Sequence, residues 1–134
     1  MTVIRTITFD CADAGMVGRF WELLLGWPLQ TEPDGSGPDG SFVPGEAFLT
    51  NPRGGPNLLF QVVPEPKRVK NRVHLDLGPT ERTRDQEVAR LEAAGATVVG
   101  DHRNPDGTGW VVMADPEGNE FCVERSDAER SGIA

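Results

Sequence analysis

One punctuated strand pair is written twice in this chain, and that repetition limits its folds more than any other feature. Asn51-Pro52-Arg53-Gly54 precedes Leu59-Phe60-Gln61-Val62, and Asp115-Pro116-Glu117-Gly118 precedes Glu120-Phe121-Cys122-Val123. In each, Asx-Pro starts a turn and the glycine supplies a positive φ, with apolar alternation on both sides, so each reads as a hairpin. The first strands of the hairpins are expected over Glu46 to Thr50 and over Trp110 to Ala114. A second element also recurs: Ile7-Thr8-Phe9-Asp10 is echoed by Val73-His74-Leu75-Asp76, and each is followed by a helix signal. Asp13 can cap a helix over Ala14 to Leu25, in which Val17, Phe20, Trp21 and Leu24 share one face and Gly26 ends the run. Thr83 and Gln86 spell a capping box for a second helix, with Val88 and Leu91 on its inner face and Gly95 at its end. Both helices lead into short apolar strands, over Trp27 to Gln30 and over Thr97 to Val99. Each half thus reads β-α-β-β-β. The fold class is α+β, with a single domain over residues 1–134 built from two modules, about 1–64 and about 70–126, joined near Pro64 to Lys70.

Alternation then assigns the strand faces. In Arg72-Val73-His74-Leu75-Asp76-Leu77 the apolar residues Val73, Leu75 and Leu77 should face the helix. His74 and Asp76 take the other face. The same rule puts Thr6, Thr8 and Asp10, then Leu59, Gln61 and Val63, then Glu120, Cys122 and Glu124 on the faces away from the helices. If the two half-sheets curl together, these residues line one cleft, with Leu59, Val63 and Trp110 as its apolar wall and Trp27 and Phe42 over it. Plainer readings stand beside this one. Polar residues on a half-exposed strand are commonly just solvated, Asp10 and Asp76 suit turns at strand ends, and Cys122 suits a small buried hydrophobe. Along a regular strand His74 and Asp76 would lie about 6–7 Å apart, too far for a direct hydrogen bond. The N-terminus, MTVIRTITFD, alternates like a strand, Pro33 to Gly45 reads as a loop, and Ser126 to Ala134 reads as a frayed terminus.

Composition excludes some partners. A net charge of −8 argues against nucleic acid, because phosphate binding needs a basic face. No apolar run approaches the roughly 18 residues of a membrane span, and the N-terminus has no apolar signal segment, which together point to the cytoplasm. The two cysteines, Cys11 and Cys122, read as unpaired thiols in a reducing compartment. The basic run Lys67, Arg68, Lys70 and Arg72 reads as solvated, with attraction of an anionic ligand or partner as the alternative.

The pieces CAD…FWELLLGW, KNRVHLDL and DPEGNEFCVE, within a resemblance that runs from Val3 to Arg125, are similar to the vicinal oxygen chelate superfamily. This is the group of glyoxalase I, bleomycin-resistance proteins and extradiol dioxygenases, and the chain most resembles its small bacterial glyoxalase-like members. The resemblance implies two tandem βαβββ modules forming a cupped mixed sheet around a cavity, often in a homodimer. In metal-dependent members it implies one divalent ion held by His, Glu or Gln, two from each half. Carried onto this sequence, those positions fall on Thr6 or Thr8, Gln61, His74 and Cys122, a poor match. No metal cofactor is therefore favoured; a divalent ion, if bound, would use His74, Gln61 and Cys122. The reading is a protein that binds a small organic ligand in its cup, with a degenerate metal site. Its ligand-binding residues would be Thr8, Asp10, Leu59, Gln61, His74, Asp76, Trp110 and Cys122. The alternative is a divalent-metal-dependent lyase, isomerase or dioxygenase, with His74, Glu120 and Asp76 as candidate catalytic residues. A third reading is a partner-binding domain with an idle cleft.

Overall fold

The computed structural model describes residues 1–31 and 45–132. Phe42 and nearly all of the expected loop over Pro33 to Gly45 lie outside them. The chain divides into two compact units, residues 1–67 and 68–134, and each carries one open four-stranded mixed sheet with a helix following its first strand.

In the first unit the order along the chain is β1 (Thr6–Cys11), α1 (Ala14–Leu25), β2 (Leu29–Gln30), β3 (Ala47–Leu49) and β4 (Asn57–Val62). The sheet order is β1-β4-β3-β2, with β1 parallel to β4 and the other pairs antiparallel. α1 starts and stops where its caps dictate. The Asp13 carboxylate accepts from the Met16 N–H at 3.0 Å, and Gly26 closes the helix in the left-handed region at φ 71°. Val17 and Trp21 are fully buried, and Phe9 packs against Trp21 at 5.0 Å and Phe60 at 5.2 Å between ring centroids. Burying each such side chain stabilises the unit by roughly 1.5–3 kcal/mol. Gly18 is where helix and sheet come closest, since a Cβ there would lie 2.9 Å from the Ala47 Cβ. The face away from α1 carries the register pairs Thr6–Asn57, Thr8–Leu59 and Asp10–Gln61, with Phe48 beside Leu59.

The second unit runs β5 (Leu75–Leu77), α2 (Arg84–Ala93), β6 (Thr97–Arg103), β7 (Gly109–Ala114), β8 (Glu120–Val123) and α3 (Asp127–Arg130). Its sheet order, β5-β8-β7-β6, repeats the pattern of the first, with β5 parallel to β8. The Thr83–Gln86 capping box is formed, and α2 closes with the Gly95 N–H donating to the Glu92 carbonyl and the Ala96 N–H to the Leu91 carbonyl. Both copies of the Asx-Pro-x-Gly turn are made alike. The Asn51 side chain accepts from the Arg53 N–H at 3.0 Å, and the Asp115 side chain from the Glu117 N–H at 2.9 Å.

Four expectations are corrected. The alternation of MTVIRTITFD becomes strand only at Thr6, and that of Arg72 to Leu77 only at Leu75, so that Val73 is 78% exposed rather than packed under the helix. For β1 the cause is the partner strand, since β4 begins at Asn57, opposite Thr6; β5 starts one residue inside its partner, with Leu75 paired to Phe121 while β8 begins at Glu120. β6 extends past Val99 to Arg103 because Asn104-Pro105-Asp106-Gly107 is a third copy of the turn, with Gly107 at φ 91° donating to the Asn104 carbonyl. The tail is not frayed as far as Gly132. Ser126 and Glu129 form a capping box on α3, and the Glu129 carboxylate also accepts from the Arg84 N–H at 2.7 Å.

Arg84 itself is buried, and its guanidinium donates to the carbonyls of Gly107, Thr108 and Gly109 at 3.2, 3.1 and 2.9 Å. It ties the start of α2 to the β6–β7 hairpin. It sits in the polar run Arg82-Thr83-Arg84-Asp85-Gln86, so nothing in the local pattern marks it as an interior residue.

Candidate functional site in the second module

In the parallel pair β5–β8, Asp76 is the register partner of Cys122, so their side chains stand side by side on the face away from Leu75, Phe121 and Leu77. His74 lies just before β5 and has left the regular strand geometry. Its ring folds back toward Asp76, bringing Nδ1 to 3.3 Å from the Asp76 carboxylate and 3.7 Å from the Cys122 Sγ. The separation expected along a regular strand is therefore wrong here, because His74 lies outside β5. The three donor atoms all lie within 4.8 Å of one another. Cys122 is only 4% exposed, whereas the His74 and Asp76 side chains are 41% and 56% exposed, so the thiol forms the floor of the group and the other two its open side.

Electrostatics keep that thiol protonated. Burial, and then the hydrogen bond and charge of Asp76, push its pKa up to about 11. Asp76 and Cys122 also meet the same imidazole nitrogen. A nucleophilic triad needs the orienting carboxylate and the nucleophile on different ring nitrogens, so this is not an activated-cysteine site.

Around the group, Glu120 is held by the Lys70 ammonium at 2.7 Å and accepts from the Asn71 N–H at 3.4 Å. Lys70 is thus not merely solvated. On the same sheet face, Val112 lies opposite Cys122, and two residues along β7 Trp110 stacks on His102, with ring centroids 5.0 Å apart and planes at 21°. Gly100 leaves room for that stack, as a Cβ there would come within 3.1 Å of the His102 Nε2. His102 is the functional candidate that the sequence reading missed. Its signal, a ring two residues beyond a bulge at Val98/Gly100, depends on a pairing register that composition does not reveal.

The remaining sequence candidates fall in the first module. Thr8, Asp10, Leu59 and Gln61 share the face away from α1, as register pairs Thr8–Leu59 and Asp10–Gln61. The four metal positions carried over from the resemblance do not fit a divalent ion. Thr6 or Thr8 offers only a hydroxyl and Gln61 a neutral amide oxygen, while His74 and Cys122 already share a group with Asp76. No chemical step is derived through that set.

The family model described as a glyoxalase-like domain matches residues 6–124. No curated protein matches the chain. Among solved structures, a glyoxalase/bleomycin resistance protein/dioxygenase family enzyme from Burkholderia phytofirmans is similar with a TM-score of 0.66 at 18% identity, covering 91% of this chain and 97% of that one. A fosfomycin resistance protein from Listeria monocytogenes, complexed with Mn(II) and dihydroxypropylphosphonic acid, gives 0.67 at 14% identity, covering 97% and 94%. A lactoylglutathione lyase from Agrobacterium tumefaciens gives 0.59 at 18% identity, covering 96% of each chain. At these identities the likenesses speak to the fold.

Proposed function

Because the chain belongs to the glyoxalase-like family, we propose that it binds a small, oxygen-bearing organic molecule on the face of its second module that carries His74, Asp76, Cys122 and Trp110. The observation that carries this reading is the convergence of three unlike polar groups, from β8, β5 and the segment before it, on one half-open patch. Further along the same sheet face, two residues from Val112 on β7, the Trp110–His102 stack offers a flat aromatic surface. A few convergent polar donors on one face are what a small-ligand site requires. His74 and Asp76 would hydrogen-bond the ligand's oxygens, and the neutral Cys122 thiol would keep the floor uncharged.

The Listeria neighbour's dihydroxypropylphosphonic acid is a ligand of this general kind, small and rich in oxygen. The alternative, a metal-dependent lyase, isomerase or dioxygenase, rests on the four-position set that a threonine and Gln61 fill poorly. A homodimer and a cytoplasmic location belong to the same proposal; among the described residues no helix is long and apolar enough to cross a membrane.

The test is a thermal-shift screen of small hydroxy acids, diols, catechols and phosphonates, run with a chelator present. A ligand at 100 times its Kd stabilises by about 2.7 kcal/mol, several degrees in Tm for a chain of this size. The expected result is a hit whose shift disappears in His74→Ala and shrinks in Trp110→Ala. Hits indifferent to both variants would contradict the assignment. Thr8→Val and Gln61→Ala report separately on the first module's expected ligand residues.

A further inference from the structure

We propose that the molecule bound on this face is an organic cation, a protonated amine that also carries hydroxyl groups, held by the carboxylates of Asp76 and Glu124 and by the ring of Trp110. This rests on the binding reading above and deepens it by fixing the charge of the ligand.

Glu124 joins the parts of the face. Val111 and Val123 are register partners, and both are buried. The next residues along that ladder, Trp110 and Glu124, therefore come side by side on the opposite face. The Glu124 N–H donates to the Leu77 carbonyl at 2.8 Å, which carries the β5–β8 ladder one residue further and keeps Glu124 in strand geometry. Behind burial and Asp76, and against the pull of Lys70, Glu124 also pushes the Cys122 thiol up, so its charge is felt at the floor of the group. On β5 the place beside Glu124 is Gly78, by continuation of the Leu77–Val123 pair, so that flank of the carboxylate carries no side chain.

The charges on the face do not cancel. Glu120 is held by Lys70 at 2.7 Å. Asp76 has His74 at 3.3 Å, an imidazole that is charged only when protonated. Among the described residues no lysine or arginine forms an ion pair with Asp76 or Glu124. With Glu120 and Lys70 offsetting each other, two carboxylates remain, an exposed Asp76 and a half-buried Glu124. Such a face repels carboxylates and phosphonates and attracts an ammonium. Trp110 adds to this, because an exposed indole face also attracts a cation, and its stack on His102 holds the ring in one plane. The ligand's hydroxyls would meet His74 and Asp76, as in the reading above. The basic run from Lys67 to Arg72 argues for the opposite charge, but its Lys70 is engaged by Glu120.

The test uses the full chain with a chelator present and three molecules on one skeleton: catechol, catechol with an aminoethyl arm and catechol with a carboxymethyl arm. Calorimetry gives each Kd, and circular dichroism checks the fold of each variant. The amine should bind at least about tenfold tighter than the carboxylate, with catechol between them. Its affinity should fall as salt is raised. Glu124→Gln and Asp76→Asn should each weaken the amine by about threefold or more and leave catechol little changed. Trp110→Leu should weaken the amine as well, and Gln61→Ala should bind all three as the unaltered chain does.

A carboxylate that binds as tightly as the amine would overturn the inference and leave the ligand-binding reading standing. So would an amine indifferent to both Glu124→Gln and Asp76→Asn. If none of the three binds, the thermal-shift screen, extended with amino alcohols, decides. A His74-dependent hit that is cationic supports the inference, one that is neutral or anionic overturns it alone, and a screen without hits overturns both readings.

Discussion

Cys122 shows how one residue type can mean two things at once. It is buried like a small hydrophobe between Phe121 and Val123, yet its sulfur faces His74 and Asp76. With its thiol pKa pushed up to about 11, its alkylation in the metal-free protein should be slow at neutral pH and rise about tenfold per pH unit up to that value. Asp76→Asn removes the neighbouring negative charge and should speed the reaction at a given pH; timed mass spectrometry of the modified peptide checks both. Arg84 carries a structural role of similar weight. Arg84→Met would remove the guanidinium from the Gly107, Thr108 and Gly109 carbonyls, of which that of Thr108 keeps the Asn104 N–H, and should cost about 1–3 kcal/mol, read by urea denaturation. Cys122 could be placed from strand alternation. The burial of Arg84 could not, because it depends on a hairpin 23–25 residues away.

Helices were legible element by element because their signals are local. Asp13, Gly26, Thr83 and Gln86 act within one turn of the chain, and both helices begin where those residues say. Asp13→Ala should therefore cost about 1 kcal/mol. Gly18→Ala should destabilise by about 1–3 kcal/mol despite alanine's better helix propensity, because the new methyl meets Ala47. Chemical denaturation of both variants checks the two values. Strand ends were less legible. Val73 and His74 alternate as a strand should, but the ladder with β8 begins only at Leu75, paired with Phe121 far along the sequence. The early end of β5 is also what lets His74 reach Asp76, so the misread boundary and the candidate site share one cause.

Across the whole molecule, the repeated turn and the repeated strand-helix pair predicted two like units, and the two sheets have the same order of strands. The resemblance to glyoxalase-like proteins likewise agrees with the family match over residues 6–124. What the sequence pattern did not resolve is which residues of the nominated faces meet. That depends on register and on side chains leaving strand geometry, and in the second module it selects His74, Asp76 and Cys122.

The chain contains only two histidines, His74 and His102, and both lie at the candidate face of the second module. Ligand binding at this face is therefore read most directly from the imidazole nitrogen NMR spectrum of the full chain, recorded before and after addition of an organic hit under chelator. Binding beside His74 and Asp76 should shift the His74 resonances, with a smaller change at His102 beside Trp110. A bound ligand that leaves both histidines unmoved would contradict it.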